Sequence, residues 1–372
     1  MFHLTITLAY IIPNIYLFLR TMNLFITKKY RWLYGAIYLG IALIYPLTQG
    51  FSHREVGKVQ QFFYATGNYL LPFYLYLFLG MLLFDLFLLV NTWAKILTPE
   101  RRKSFHFRTR AFSTICGVAL AVVIGGIINL HTIQITHYRL VIPARSGIPG
   151  KIRVAFIADF HLNEHSSPRF VRKFVRKVNT QHADIVLYGG DIIDGSRNAE
   201  KMDTIEFVFR NIHVPLGSYA ALGNHEYYSR QENGRFYRKA GIRLLRDTVV
   251  EIGRSFYLAG RDDEHARHRK SAAELVKGLN PPLPLIVLDH RPTDFENEQK
   301  AGIDLVLSGH THDGQLFPIN LITNRVYELS WGYMKKGNTN FIVTSGLQLW
   351  GPPVKTAGKA ELVIIDIELR NP

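Results

Sequence analysis

The chain has 372 residues, 48% of them hydrophobic, and a formal net charge of +15. That is enough apolar chain to bury a substantial core and to build two domains. Its single cysteine, Cys116, lies in an apolar run, so an internal disulfide is excluded.

Charge is unevenly spread. Residues 1–130 hold 12 Lys/Arg and 3 Asp/Glu, whereas residues 131–372 hold 32 and 26. The N-terminal third contains four apolar stretches, Leu4–Leu19, Trp32–Leu47, Tyr69–Val90 and Ala111–Leu130. Each is near the ~17–25 residues a helix needs to cross a bilayer, so four transmembrane helices are expected. The first run begins almost at Met1 without preceding charge and three more follow, which fits retained spans rather than a cleaved leader.

Arg20, Lys28, Lys29 and Arg31 crowd the first loop, and Lys95, Arg101, Arg102, Lys103, Arg108 and Arg110 the third. The second loop has only Arg54, Lys58 and Glu55. By the positive-inside rule the fourth helix leads outward, giving an integral protein of the cell inner or plasma membrane with its C-terminal domain extracytoplasmic. Beside apolar helices these basic loops read as topology signals, and no nucleic-acid partner is expected. Asp85, inside the third span, reads as a structural or interfacial residue rather than part of a transport path.

A linker over residues 131–150, with Pro143, Gly147, Pro149 and Gly150, precedes a domain at 151–372. There, short apolar runs each end in metal-ligand residue types. RVAFIADFH ends in Asp159 and His161, DIVLYGGD in Asp191, SYAALGNHE in Asn224, His225 and Glu226, PLIVLDH in His290, and DLVLSGHTH in His310 and His312. Apolar runs with little alternation predict strands covered on both faces of a layered α/β domain, with the ligands converging on one sheet edge. If the extended geometry persists past the strand, Asp159 and His161 point the same way, as do His310 and His312.

Gly189, Gly190, Gly223 and Gly309 precede the polar residues, where backbone must turn sharply or approach closely. Between strands, SPRFVRKFVRKVNTQ predicts an amphipathic helix capped by Ser167 with Pro168 first, apolar at Val171, Phe174, Val175 and Val178.

Two carboxylates, one amide and four imidazoles exceed one tetrahedral site and suit two divalent ions. With Asp191 bridging, Asp159, His161, Asp191 and His312 can hold one ion, and Asp191, Asn224, His290 and His310 the other. Paired ions activate a shared water as hydroxide and stabilise charge at phosphorus. His225 is placed to protonate the leaving oxygen, and Glu226 to orient that histidine or a neighbouring ligand. Nitrogen and oxygen ligation without thiolates leaves Mn, Fe, Zn, Co and Mg open.

The series D-x-H, G-D, G-N-H-E, a single His and G-H-x-H resembles the calcineurin-like metallophosphoesterase superfamily over about residues 150–370. The resemblance implies a four-layer α/β/β/α sandwich, here preceded by an all-α transmembrane region, and a phosphohydrolase with the ligand roles just given. LDHRP at Leu288–Pro292 and the segment Gly309–Pro318 look most like a membrane-attached bacterial branch. Relatives there include hydrolases of UDP-diacylglucosamine, which implies a phosphoester or pyrophosphate substrate that is lipid-linked, a phospholipid or nucleotide-linked lipid, with membrane lipid alongside. The alternatives are a monoesterase of soluble or protein phosphate and a non-catalytic membrane sensor or scaffold; the complete ligand set weighs against the last.

Asp313 departs from that branch, which has glycine there; it is either a partner of His312 or a turn residue. Arg261, Asp262 and Asp263 resemble a loop of the branch or serve a turn, and His265 and His268 read as surface histidines. Trp350 to Pro353 wall the cleft or pack as a Pro-rich turn.

Overall fold

The computed structural model describes residues 2–49, 57–145, 148–163, 165–195, 198–280 and 282–371. Arg54, Glu55 and Gly147 of the expected loop and linker lie outside them. The chain divides into two units, residues 1–127 with 351–354, and residues 128–350 with 355–372.

The first unit is helical: α1 (Phe2–Phe25), α2 (Arg31–Ala42), α3 (Ile44–Thr48), α4 (Lys58–Ala94), α5 (Pro99–Lys103) and α6 (Phe105–His131), which runs on into the second unit. Among the described residues, α4 and α6 are long and apolar enough to cross a membrane. They contain the third and fourth expected spans. The first expected span lies in α1, 24 residues long.

The second expected span is not one continuous helix: it forms α2 and α3, 12 and 5 residues, which meet at Leu43. Pro46 lacks the N–H that would bond back to Ala42, which accounts for the break. Asp85 of α4 is paired, taking hydrogen bonds from Tyr16 Oη at 2.6 Å and Arg20 Nε at 3.1 Å, both on α1. Arg20 was expected only as a loop charge; its reach to Asp85 gives that carboxylate the structural role assigned to it.

The second unit begins with β1 (Gln134–Pro143), β2 (Gly150–Ile157), β3 (Leu162–Asn163), α7 (Pro168–Asn179), β4 (Ile185–Gly189), β5 (Ile193–Gly195), α8 (Ala199–Phe209) and β6 (Ser218–Ala221). It continues with α9 (Asn224–Tyr228), α10 (Arg235–Ala240), β7 (Arg243–Leu244), β8 (Thr248–Ile252), β9 (Phe256–Gly260), α11 (Ala272–Val276), β10 (Leu285–Leu288) and α12 (Phe295–Lys300). It ends with β11 (Leu305–Ser308), α13 (Ile319–Val326), β12 (Gly332–Lys336), β13 (Thr339–Val343) and β14 (Glu361–Arg370).

Two six-stranded mixed sheets result, ordered β1-β14-β2-β4-β6-β7 and β12-β13-β11-β10-β9-β8. Alternation along each strand sorts its side chains between two layers. In β2, Val154 and Phe156 join Leu258, Leu288 and Leu307 between the sheets, while Ala155 and Ile157 meet Phe174 of α7 and Ile205 of α8. Val287 and Val306 point to the far side of the second sheet, against Ala272 of α11 and Phe295 of α12. Helix, sheet, sheet and helix therefore stack as expected. Helix α7 has the predicted start, Ser167 Oγ accepting from Phe170 N at 3.4 Å, and buries Val171, Phe174, Val175 and Val178.

One boundary is corrected. The expected linker at 131–150 contains β1, an edge strand paired in parallel with β14 from Gln134↔Glu361 to Pro143↔Arg370. Leu140 and Ile142 turn inward while Val141 is exposed, the alternation of a half-covered strand.

Candidate metal centre

The candidate ligands collect beyond the ends of β2, β4, β6, β10 and β11, where backbone bonds stitch the loops together. Asp159 N donates to Gly190 O at 3.0 Å, and Gly309 N to His290 O at 3.0 Å. Asp159 also accepts from His310 N at 3.0 Å, and Asp191 Oδ1 from His225 N at 2.8 Å. Each carboxylate is thus fixed by the backbone of another candidate residue.

The extended geometry expected of the D-x-H and H-x-H pairs does not persist. Asp159 and His161 have φ of 56° and 51°, and His310 and His312 of 73° and 51°, all in the left-handed region. These turns bring paired side chains together where a flat strand would not, at a local cost that the surrounding bonds offset. Two glycines make room. A Cβ at Gly223 would lie 2.2 Å from Asp191 Oδ1, and one at Gly309 would lie 2.4 Å from Asp159 Oδ2.

Among the described residues the potential ligand atoms form three groups, each within 4.8 Å: Asp159, His161 and His312; Asp191, His290 and His310; and His161, Asp191 and His225. Asp191 belongs to two of them. His161 Nε2 and His312 Nε2 face each other at 3.2 Å, while His161 Nδ1 is held by Asp194 Oδ1 at 2.9 Å. Donation to Asp194 leaves a lone pair on His161 Nε2. Likewise His290 Nδ1 is 2.8 Å from Gly189 O, which turns its Nε2 inward as an acceptor.

Electrostatics point the same way. Burial works against charge on both rings, yet Asp191 lifts His290 to about 10 and Asp194 lifts His161 to about 9. A divalent cation would meet the same attraction. His310 is pushed down to about 3 by burial and the neighbouring His290, leaving the neutral imidazole that ligation requires. Asn224 Oδ1 is buried and has no hydrogen-bond partner, an oxygen suited to a cation. The donor set present fits divalent metal.

Glu226 is fully buried and takes hydrogen bonds from the backbone N–H groups of Asp191, Ile192, Ile193 and Gly223 at 2.7–3.2 Å and from Tyr237 Oη at 2.7 Å. Of its two expected roles, this geometry matches holding a neighbouring ligand loop. The histidine-orienting role falls to Asp194, which the sequence reading passed over. Its Oδ1 is 3.1 Å from His225 Nδ1. A second carboxylate three residues after Asp191, in DIID, was the available signal.

Asp313 has φ of 49°, which explains why glycine is favoured there, and its electrostatic partners are Lys355 and Ser330. Arg261 is buried among Asp289, Asp294 and Glu298. Around His225 the ring centroids of Tyr228 and Trp350 lie at 5.5 and 5.9 Å, and His265 lies 4.9 Å from Tyr228. His265 and Tyr227 also line a neighbouring cavity of about 390 Å³.

Two sheets flanked by helices gather carboxylates and imidazoles at their strand ends, a donor set suited to divalent metal. Residues 152–314 match the family model for calcineurin-like phosphoesterases. A metallophosphoesterase of Aquifex aeolicus is 30% identical over 258 residues, covering 67% of this chain and 98% of that one. The chain belongs to this metallophosphoesterase family. A transmembrane protein with metallophosphoesterase domain from Danio rerio is 28% identical over 310 residues, 77% of this chain and 70% of that one. The UDP-2,3-diacylglucosamine pyrophosphatase LpxG of Chlamydia trachomatis is 23% identical over 262 residues, 56% of this chain and 79% of that one.

Proposed function

We propose that this chain is a membrane-anchored phosphohydrolase that holds two divalent ions and cleaves a phosphoester or pyrophosphate in a lipid-linked substrate. The observation that carries the two-ion reading is the place of Asp191 in two ligand groups, one with His290 and His310 and one with His161 and His225. Asp159, His161, Asp191 and His312 would hold one ion, and Asp191, Asn224, His290 and His310 the other. The ions would supply positive charge to the phosphoryl oxygens and an acidified water nucleophile.

With His225 Nδ1 on Asp194, the imidazolium form of His225 would hold at Nε2 the proton that passes to the leaving oxygen. Tyr228 and Trp350 beside it would pack on the leaving group. Membrane attachment is supported by α4 and α6, and a lipid-linked substrate by the pyrophosphatase for which the Chlamydia relative is named. The basic first and third loops support an extracytoplasmic site.

The test is hydrolysis by full-length protein, loaded with each divalent metal in turn, of a bis-aryl phosphate, an aryl monophosphate and a nucleotide-diphospho-lipid. Preference for the lipid is expected. Preference for the monophosphate would overturn the lipid assignment, and inactivity on all three would favour a sensor. A reporter fused after Pro372 tests the orientation.

A further inference from the structure

Helix α13 is eight residues long and buries none of them. Ile319 is 39% exposed, Leu321 55%, Ile322 63% and Val326 70%, and Phe317 just ahead of the helix is 51% exposed. Ile319, Ile322 and Val326 follow helical spacing and form a stripe, with Leu321 beside it. Five large apolar side chains exposed within ten residues are a cluster of the kind that marks a contact site.

Helix α13 is also tied to the metal loop. It starts seven residues after His312, and a Cβ at Gly314 would lie 2.5 Å from Asn320 N. Whatever covers α13 therefore touches the edge of the site.

Three observations identify the cover. The patch is far smaller than the roughly 20–30 residues a side that a stable protein interface uses, so a second copy is a poor fit. The segment from Phe317 to Tyr327 carries one cation, Arg325, and no carboxylate, so its own charge does not oppose an anionic lipid surface. Helix α6 ends at His131 and β1 starts at Gln134, leaving about 10 Å of chain between them. With α6 in a bilayer, that tether holds the second unit at the surface.

We propose that α13 is a membrane-contact helix. Phe317, Ile319, Leu321, Ile322 and Val326 enter the boundary between headgroups and acyl chains of an anionic bilayer, bringing the His310–His312 loop to the level where a lipid phosphoester is presented. This rests on the membrane and lipid-substrate readings above.

Full-length protein carrying Cys116→Ser and Ile322→Cys, labelled with an environment-sensitive fluorophore, would be placed in phosphatidylcholine–phosphatidylglycerol vesicles containing nitroxide-tailed lipid. Control labels go at Glu274→Cys and Asp203→Cys. Quenching at position 322 several-fold above both controls is expected; equal quenching overturns the proposal. A second readout uses Ile322→Asp/Val326→Asp, expected to lower kcat/KM on vesicle-borne diphospho-lipid about tenfold while leaving a soluble bis-aryl phosphate within about twofold. An unchanged ratio of the two activities overturns the link to substrate presentation. Loss of a dimer in that variant would assign the face to a second copy and also overturn it. A wild-type protein inactive on every phosphoester would sink the proposed function, while the quenching result would still decide this inference.

Discussion

Asp194 Oδ1 lies 3.1 Å from His225 Nδ1, and the same oxygen lies 2.9 Å from His161 Nδ1. One carboxylate thus sets the tautomer of both rings. Against the desolvation that would raise it, the His161 and His225 rings hold the Asp194 carboxyl well below its ordinary range. Asp194→Asn keeps the volume and removes the charge, so kcat should fall about 10–100-fold with metal retention weakened. Steady-state kinetics and metal content of the purified variant check this, and unchanged values of both would remove Asp194 from the machinery.

Removal of metal should cost both activity and stability. The candidate ligands are buried apart from the half-buried His310, and a group that binds only the folded state stabilises it by mass action, about 2.7 kcal/mol at a hundredfold excess over Kd. Chelation should therefore abolish hydrolysis and lower Tm, and one of the divalent ions should restore both. Full activity after exhaustive chelation would contradict the metal reading.

Arg261 is only 4% exposed, with Nη1 at 2.9 Å from Asp289, 2.6 Å from Asp294 and 4.0 Å from Glu298. Asp289 precedes His290 and keeps a second cation in Arg269 at 2.7 Å, whereas among the described residues Asp294 and Glu298 pair with no other cation. Arg261→Met should destabilise by about 3–5 kcal/mol, the range for breaking a buried ion cluster on one side. Urea unfolding with an unchanged m-value and a lower midpoint is the expected result.

The site was legible where chemistry restricts residue type. Asp159, His161, Asp191, Asn224, His290, His310 and His312 stand out because each ends an apolar run, and strand ends on one edge must meet. Their backbone was not legible: non-glycine residues at positive φ leave no mark on composition, yet those turns aim Asp159 and His312. Asp194 was hidden because its role is set by two partners, one 33 residues before it and one 31 after. Strand β1 was hidden for a similar reason, since Gln134 pairs with Glu361 across nearly the whole second unit and resembles a linker when read locally.

The β2–β14 register supplies a pH test away from the site. Arg153 and Asp366 face each other across the antiparallel pair, with Nε–Oδ1 at 2.7 Å and Nη2–Oδ2 at 3.3 Å. The guanidinium lowers the Asp366 carboxyl below its ordinary value, chiefly through the hydrogen bond. A depressed carboxyl contributes stability that is complete above its unfolded pKa and is lost as pH falls through the folded one. Both side chains are more than a third exposed, at 42% and 34%, so solvent screening limits the contribution to about 0.5 kcal/mol. Asp366→Asn should therefore be less stable than wild type by about that amount at neutral pH. The difference should close as pH falls below about 4, where the wild-type carboxyl also takes a proton. Paired urea titrations at several pH values, in low salt, read the gap directly; a gap that widens toward acid would mean the pair does not stabilise the sheet.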